Sequence, residues 1–112
     1  LGASIAKGAS TATIASANAS ALWAKLGKYS FPFFVQMTGT VNGDTTSTFA
    51  WVSQSQIKGS TSYSLNFEHM QGVILTDGSL ASMQITVTSS SASIALSGTC
   101  NVALSNLKLN IR

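Results

Sequence analysis

Side chains capable of acid–base chemistry are few in this sequence. They are Asp44, Glu68, His69 and Asp77. An acid–base enzyme brings such groups together and shifts their pKa values. Asp44 and Asp77 each adjoin a glycine, as turn residues do. Glu68 and His69 would point to opposite faces of a regular strand, and could act together only if the chain bends there. We therefore predict no catalytic residues and a protein that is not an enzyme.

Nucleophile, metal and cofactor motifs are also missing from the sequence. Cys100 is the single cysteine, so no disulfide can form within the chain. Because it alternates with Val102 and Leu104, we predict that it is a small buried apolar residue. A zinc site needs three or four Cys, His or carboxylate ligands at recognisable spacing, and no nucleophile elbow, Walker loop or dinucleotide fingerprint occurs. We expect no metal and no cofactor.

Charge is sparse over the whole chain. Lys and Arg number 6 and Asp and Glu 3 among 112 residues, whereas Ser and Thr number about 31. About a quarter of a typical domain is charged. The basic residues are scattered, so nucleic acid is not an expected partner, and the apolar runs are too short to span a membrane. Hydroxyls and amides must cover the surface, which favours an extracellular, cell-surface or virion-surface setting.

The first 28 residues have helical spacing. Apolar or small residues recur every three or four positions, at Leu1, Ile5, Ala9, Ala12, Ala15, Ala19, Leu22 and Leu26. This spacing predicts a helix over 3–26 that ends at Gly27. The segment 10–14 also fits a short strand, so residues 1–15 could instead form an exchanged strand or a mobile arm. We predict an N-terminal helix or arm at 1–28 and an antiparallel β domain at 29–112, together one folding unit.

From Ser30 onward the apolar residues alternate with polar ones. This period of two predicts six or seven short strands in an antiparallel meander, with no crossover helix. The predicted fold class is α+β, mainly β. A three-residue loop at 42–44 would place Met37 opposite Phe49 and Val35 opposite Trp51.

Two further local features are predicted for the C-terminal half. Asp77-Gly78 follows a short apolar strand and indicates a second hairpin. The apolar parity changes after Leu104, which predicts a β-bulge near Ser105-Asn106.

Our first functional hypothesis is a structural subunit of an extracellular filament, pilus or virion coat. Copies would associate through the N-terminal segment and through neutral Ser/Thr-rich surfaces. The candidate contact residues are Leu1, Ile5, Ala9, Ala12, Leu22 and Phe34. Removing residues 1–26 would then abolish oligomers and leave the β domain folded. The order of helix and sheet is similar to that of type IV pilin-like subunits, but these begin with a long apolar segment and typically have glutamate where this chain has Ile5. We therefore do not assign that family.

The alternative hypothesis is a secreted binding module for carbohydrate or a lipid-like ligand. Trp23 and Trp51 are its candidate ligand-binding residues, and Met37, Met70 and Met83 could line an apolar pocket. The competing interpretation of the aromatic residues is that they form the core between helix and sheet. Other copies of the chain are the expected partners, and glycans are a second class.

Overall fold

We describe residues 1–42 and 44–111 of a computed structural model, and only the backbone of residues 44–49. Its elements are β1 (Thr11–Ile14), α1 (Ser16–Leu26), β2 (Val35–Val41), β3 (Asp44–Val52), β4 (Ser55–Lys58), β5 (Tyr63–Ile74), β6 (Leu80–Val87), β7 (Ala92–Leu96) and β8 (Leu104–Ile111). The strands form a five-stranded sheet of order β1-β7-β6-β5-β4 and a three-stranded sheet of order β3-β2-β8. Every pairing between them is antiparallel. The fold is mainly β with one short helix, as predicted.

The strand count and the start of the helix differ from the prediction. In the described ranges, eight strands form two sheets, rather than six or seven in one meander. The helix was predicted over 3–26 but begins at Ser16, and Thr11–Ile14 is a strand. The strand alternative is therefore confirmed for this segment. Its β-branched residues favour extended backbone, and pairing with β7 satisfies its main-chain groups.

Helix α1 packs on β6 through a narrow apolar face. Ala19, Leu22 and Leu26 are buried, and their spacing of three and four places them on one side of the helix. Ala19 is 0% exposed, and a side chain this small lets the helix approach the sheet closely. The helix ends where predicted, at Gly27, whose amide donates to the Trp23 carbonyl at 3.1 Å.

The register of the β2–β3 hairpin differs from the prediction. Met37 lies opposite Trp51 rather than Phe49, and Phe49 lies opposite Gly39. The cause is an irregularity between Thr40 and Val41, which places extra residues in β3 and shifts the pairing. The predicted loop includes Gly43, which is outside the described residues.

A close contact at Gly39 fits this register. An ideal Cβ at Gly39 would lie 2.7 Å from Leu107 Cδ2 and 3.0 Å from Trp51 Cζ3. The Trp51 indole therefore covers Gly39. The predicted pairing of Val35 with Trp51 is wrong, because Trp51 pairs with Met37. Val35 instead pairs with Ile111 of β8. A glycine in a strand often marks such a close approach.

Both predicted C-terminal features are confirmed. Leu75 donates its amide to the Ser79 carbonyl at 2.9 Å, which closes the turn around Asp77-Gly78. The Ser79 hydroxyl and amide both donate to the Asp77 carboxylate and lower its pKa. The pairing of β8 with β2 shifts register, which marks a bulge in β8, and Asn106 within it has a φ of 53°.

Strand β5 is longer than the sequence indicated. It continues from Tyr63 to Ile74 with register shifts between Phe67 and Met70 and between Met70 and Ile74. His69 has a φ of 48° and Gly72 a φ of 86°, so the strand bends at both positions. On both sides of the bend β5 stays paired with β6.

The N-terminal arm, defined as residues 1–10, contacts both sheets. Ile5 exchanges backbone hydrogen bonds with Leu104 of β8, at 2.9 and 2.8 Å. Gly8 and Ala9 bond to the backbone of Cys100, and the arm then continues into β1. Ile5 is 1% exposed and Cys100 is 0% exposed, which confirms the prediction that this cysteine is buried.

Candidate functional site

The five-stranded sheet presents a polar surface on the side away from the core, which we call the outer face. Residues paired across antiparallel strands share a face, so the registers define two rows. The rows are Thr11, Ala95, Gln84, Asn66 and Ser55, and Thr13, Ser93, Thr86, Ser64 and Ile57. None of these side chains is charged or fully buried.

The period of two in the sequence explains this face. In β5 and β6 the alternate residues Tyr63, Leu65, Met83 and Ile85 are buried, and the polar residues between them point outward. Because five strands lie about 4.8 Å apart, the face is roughly 20 Å wide.

A cleft of about 280 Å³ lies at one end of the outer face. Its polar lining comes from Asn66, Glu68, Ser82, Gln84 and Ser97. Ser82 and Ser97 are tied together, since the Ser82 amide donates to Ser97 Oγ and the Ser97 amide to the Ser82 carbonyl, both at 2.9 Å. Within the described part of the chain, the side chains of Glu68 and Gln84 make no hydrogen bond, and both are exposed.

Glu68 and His69 lie at the bend of β5, where a joint role was conceivable. Both are exposed, and the His69 amide donates to Ser82 Oγ at 3.3 Å. Across residues 1–42 and 44–111 no three His, Cys, Asp or Glu side chains are grouped so that they could hold a metal ion. The chemistry that this arrangement supports is hydrogen bonding by hydroxyls, amides and the Glu68 carboxylate. That the chain is not an enzyme stays a prediction.

No protein-family model, curated protein or solved structure matches this chain. Of the helices that the structure describes, none has the length and apolar character needed to cross a membrane.

Most of the proposed assembly residues pack within their own chain. Ile5 and Leu22 are 1% and 8% exposed and belong to the core. Leu1 is partly buried, and its ammonium group donates to the Leu107 carbonyl at 2.7 Å. Ala9 and Ala12 are partly buried against the core. Phe34 differs, with 46% of its surface exposed.

The two tryptophans proposed for ligand binding lie in different environments. Trp51 is 5% exposed, and its Nε1 donates to the Gln71 carbonyl at 3.0 Å. Trp23 is partly buried and packs edge-on against Tyr63, with ring centroids 5.1 Å apart. The residues proposed to line a pocket, Met37, Met70 and Met83, are buried in the core. Trp51 is therefore placed as a core residue, and Trp23 offers only part of its ring to solvent.

Among the described side chains, the exposed large apolar residues were only partly predicted from the sequence. They are Phe31, Phe34, Val52, Ile57 and Leu80. Phe31 and Phe34 could be singled out in the sequence: Phe34 is out of phase with the alternating apolar residues Phe33 and Val35, and Phe31 precedes Pro32. Val52 and Ile57 were missed, although each is an apolar residue on the outward parity of its strand.

Proposed function

We propose that this protein is a non-enzymatic structural subunit that assembles with other copies of itself through the outer face of its five-stranded sheet. The observation that carries the proposal is the ten-residue, two-row surface without a charge. At the usual share of charged residues, about two or three of the ten would be charged. Two copies can approach through these rows with little like-charge repulsion, because the exposed Glu68 carboxylate lies in the cleft at one end of the face.

The hydroxyls and amides of this face suit a contact between copies. A typical interface has about one hydrogen bond per 100–200 Å², and eight of the ten side chains can donate or accept one. The Asn66 Nδ2 already donates to Ser55 Oγ at 3.1 Å, which holds that end of one row in place. A fixed polar surface loses little conformational entropy when a second copy binds it.

The N-terminal segment contributes to this assembly as an edge strand. β1 is the end strand of the five-stranded sheet and contains no Lys or Pro. Natural proteins commonly protect such edges with those residues, because an open edge can pair with another chain. Pairing of β1 with a strand of another copy would extend the five-stranded sheet, and contacts between outer faces would stack the sheets of two copies. Together they would give the filament or coat of an extracellular or virion surface.

Introducing charge on the outer face tests the proposal. Thr13→Lys and Ser93→Lys replace exposed side chains on two neighbouring strands. We expect each to shift the oligomer distribution at least about tenfold toward the monomer, because lysines of apposed copies would repel. Light scattering after size-exclusion chromatography and electron microscopy measure the distribution.

Ala24→Lys is the matched control, since Ala24 is exposed on α1 and away from the outer face. It adds the same charge and should leave assembly unchanged. If the wild-type chain is monomeric at high concentration, or if all three variants assemble alike, the proposal is wrong.

The cleft supports a second candidate, a secreted module that binds a neutral saccharide. An exposed carboxylate at Glu68 and an exposed amide at Gln84 lie together in it, and both make hydrogen bonds to sugar hydroxyls readily. We expect Glu68→Gln and Gln84→Ala each to weaken binding about fivefold or more, measured by calorimetry against a ligand found on a glycan array. Asn110→Ala, at an exposed residue on β8, is the control. An array without any hit would count against this candidate.

A further inference from the structure

Strand β8 is an end strand of the three-stranded sheet, with β2 on one side of it. The Val35 carbonyl of β2 accepts a hydrogen bond from the Ser53 amide, next to β3, at 3.0 Å and so faces away from β8. Backbone groups alternate in direction along a strand, so the next residue, Gln36, faces β8 and its register partner Asn110. Leu109 therefore directs its N–H and C=O away from β2, to the outer edge of β8.

The N-terminal arm covers only the first part of this edge. It runs antiparallel to β8, with Ile5 bridged to Leu104, and the Leu1 nitrogen donates to the Leu107 carbonyl at 2.7 Å. Beyond that point, no residue that the structure describes bonds to the N–H or C=O of Leu109. Unpaired backbone groups at a sheet edge can add a further extended chain as a new strand.

A cleft of about 240 Å³ lies next to the free part of the edge. It is lined by Leu109 of β8, by Ala21, Leu22 and Lys25 of α1, and by the start of the arm. Leu109 is partly buried, and Ala21 and Lys25 are exposed. The space between α1 and β8 can therefore receive side chains of an added strand.

The charges that border this edge are positive. Lys25 lines the cleft beside α1, and Lys108 lines a second cleft of about 420 Å³ between the arm and β8. Leu1 and Gly2 line both clefts, so the two adjoin the same end of the arm. Among the described residues, no Asp or Glu lines either one. A carboxylate that approaches the edge is therefore attracted to it.

We propose that the outer edge of β8 binds an extended acidic peptide of a partner protein, which adds a strand beside Leu109. The peptide residue opposite Leu109 exchanges backbone hydrogen bonds with it and directs its side chain into the cleft beside α1. The next peptide residue lies opposite Lys108, which points to the other face of the strand. An acidic side chain there forms a cross-strand pair of opposite charge.

A second copy of this chain is a poorer occupant of the edge. Lys108 is exposed on β8, and a lysine on an edge strand discourages pairing between identical strands. The site also lies apart from the outer face, because β8 belongs to the other sheet. Peptide binding therefore does not depend on the proposed assembly.

Fluorescence anisotropy with the full chain and a short labelled peptide of alternating Glu and Val tests the proposal. We expect it to bind at least about tenfold more tightly than a peptide of alternating Lys and Val. Lys25→Gln/Lys108→Gln should weaken binding of the acidic peptide about tenfold. The matched control is Lys7→Gln/Lys58→Gln, which removes the same charge at exposed positions that line neither cleft. It should bind as the wild type does.

Methylation of the peptide backbone provides an independent readout of strand pairing. In an antiparallel pair, alternate residues direct their N–H groups to the partner strand, and Val lies opposite Leu109 when Glu lies opposite Lys108. A peptide N-methylated at every Val should bind at least about tenfold more weakly. A peptide N-methylated at every Glu should bind as the unmodified one does. Nuclear magnetic resonance locates the contact, since the Leu109 amide signal should shift when peptide is added.

Three outcomes would overturn the proposal. The first is failure of the acidic peptide to bind the wild-type chain. The second is equal binding of the two N-methylated peptides, because charge alone would then explain the attraction. The third is a Leu109 amide signal that shifts with protein concentration but not with peptide, which would assign this edge to a contact between copies.

Discussion

Deleting residues 1–14 is expected to leave the chain without a cooperative unfolding transition. The deletion removes Ile5 and Ile14, which are 1% and 2% exposed, and takes β1 from the edge of β7. Loss of one large buried aliphatic side chain costs about 2–5 kcal/mol, and a domain is stable by only about 5–15 kcal/mol in total. Two such losses together with the strand's hydrogen bonds approach that total. Thermal unfolding followed by near- and far-ultraviolet circular dichroism measures the outcome.

Point variants test whether the buried side chains of the N-terminal arm, and not only its presence, stabilise the fold. Ile5→Ala should lower the free energy of unfolding by about 2–5 kcal/mol, whereas Ser4→Ala, at the exposed neighbouring position, should change it little. A deletion variant that melts as sharply as the full chain would contradict this expectation. It would support the sequence-based hypothesis that the β domain stays folded without residues 1–26.

Replacing Trp51 with alanine should destabilise the protein by about 3–5 kcal/mol, as other deletions of buried aromatic side chains do. Trp51 fills the space over Gly39, and its indole N–H donates to the Gln71 carbonyl at 3.0 Å. The substitution therefore opens a cavity and leaves this carbonyl without that donor. Urea denaturation measures the change as a lower midpoint at an unchanged slope.

Trp51→Phe is the matched variant, since it keeps an aromatic ring in the core but cannot donate the hydrogen bond. We expect it to lose less than half of what the alanine variant loses. A Trp51→Ala variant within about 1 kcal/mol of wild type would mean that the indole does not support the fold. The result also decides how binding assays are interpreted, because a ligand-binding loss in Trp51→Ala would follow from unfolding.

The parts of the fold that sequence could predict are those set by neighbouring residues. Clean alternation in β6 specifies a strand with one apolar face, and Asp77-Gly78 specifies its turn. The parity change before Asn106 locates a bulge, because a regular strand could not bury residues on both sides of it.

The parts that could not be predicted depend on residues far apart in the chain. The segment around Thr11–Ile14 combines alanines, which favour a helix, with threonine and isoleucine, which favour a strand, and pairing with β7 decides between the two. The register of β3 depends on the irregularity between Thr40 and Val41, and it brings Trp51 over Gly39, a contact that no local pattern contains. The candidate surfaces have the same origin. The rows of the outer face exist only because of the strand order, so the sequence shows the polar residues but not their arrangement.

The contact between Ile5 and Leu104 has a consequence for how the protein is made. During translation the N-terminal arm emerges long before β8, so Ile5 lacks its hydrogen-bond partner Leu104 until β8 has also left the ribosome. β1 must also wait for β7. Folding that depends on such distant pairings is slow, because the chain loses the entropy of closing a long loop before the stabilising contacts form. Nascent chains would therefore expose uncharged, strand-forming segments for most of their synthesis, and would need dilution or a chaperone to avoid pairing with one another.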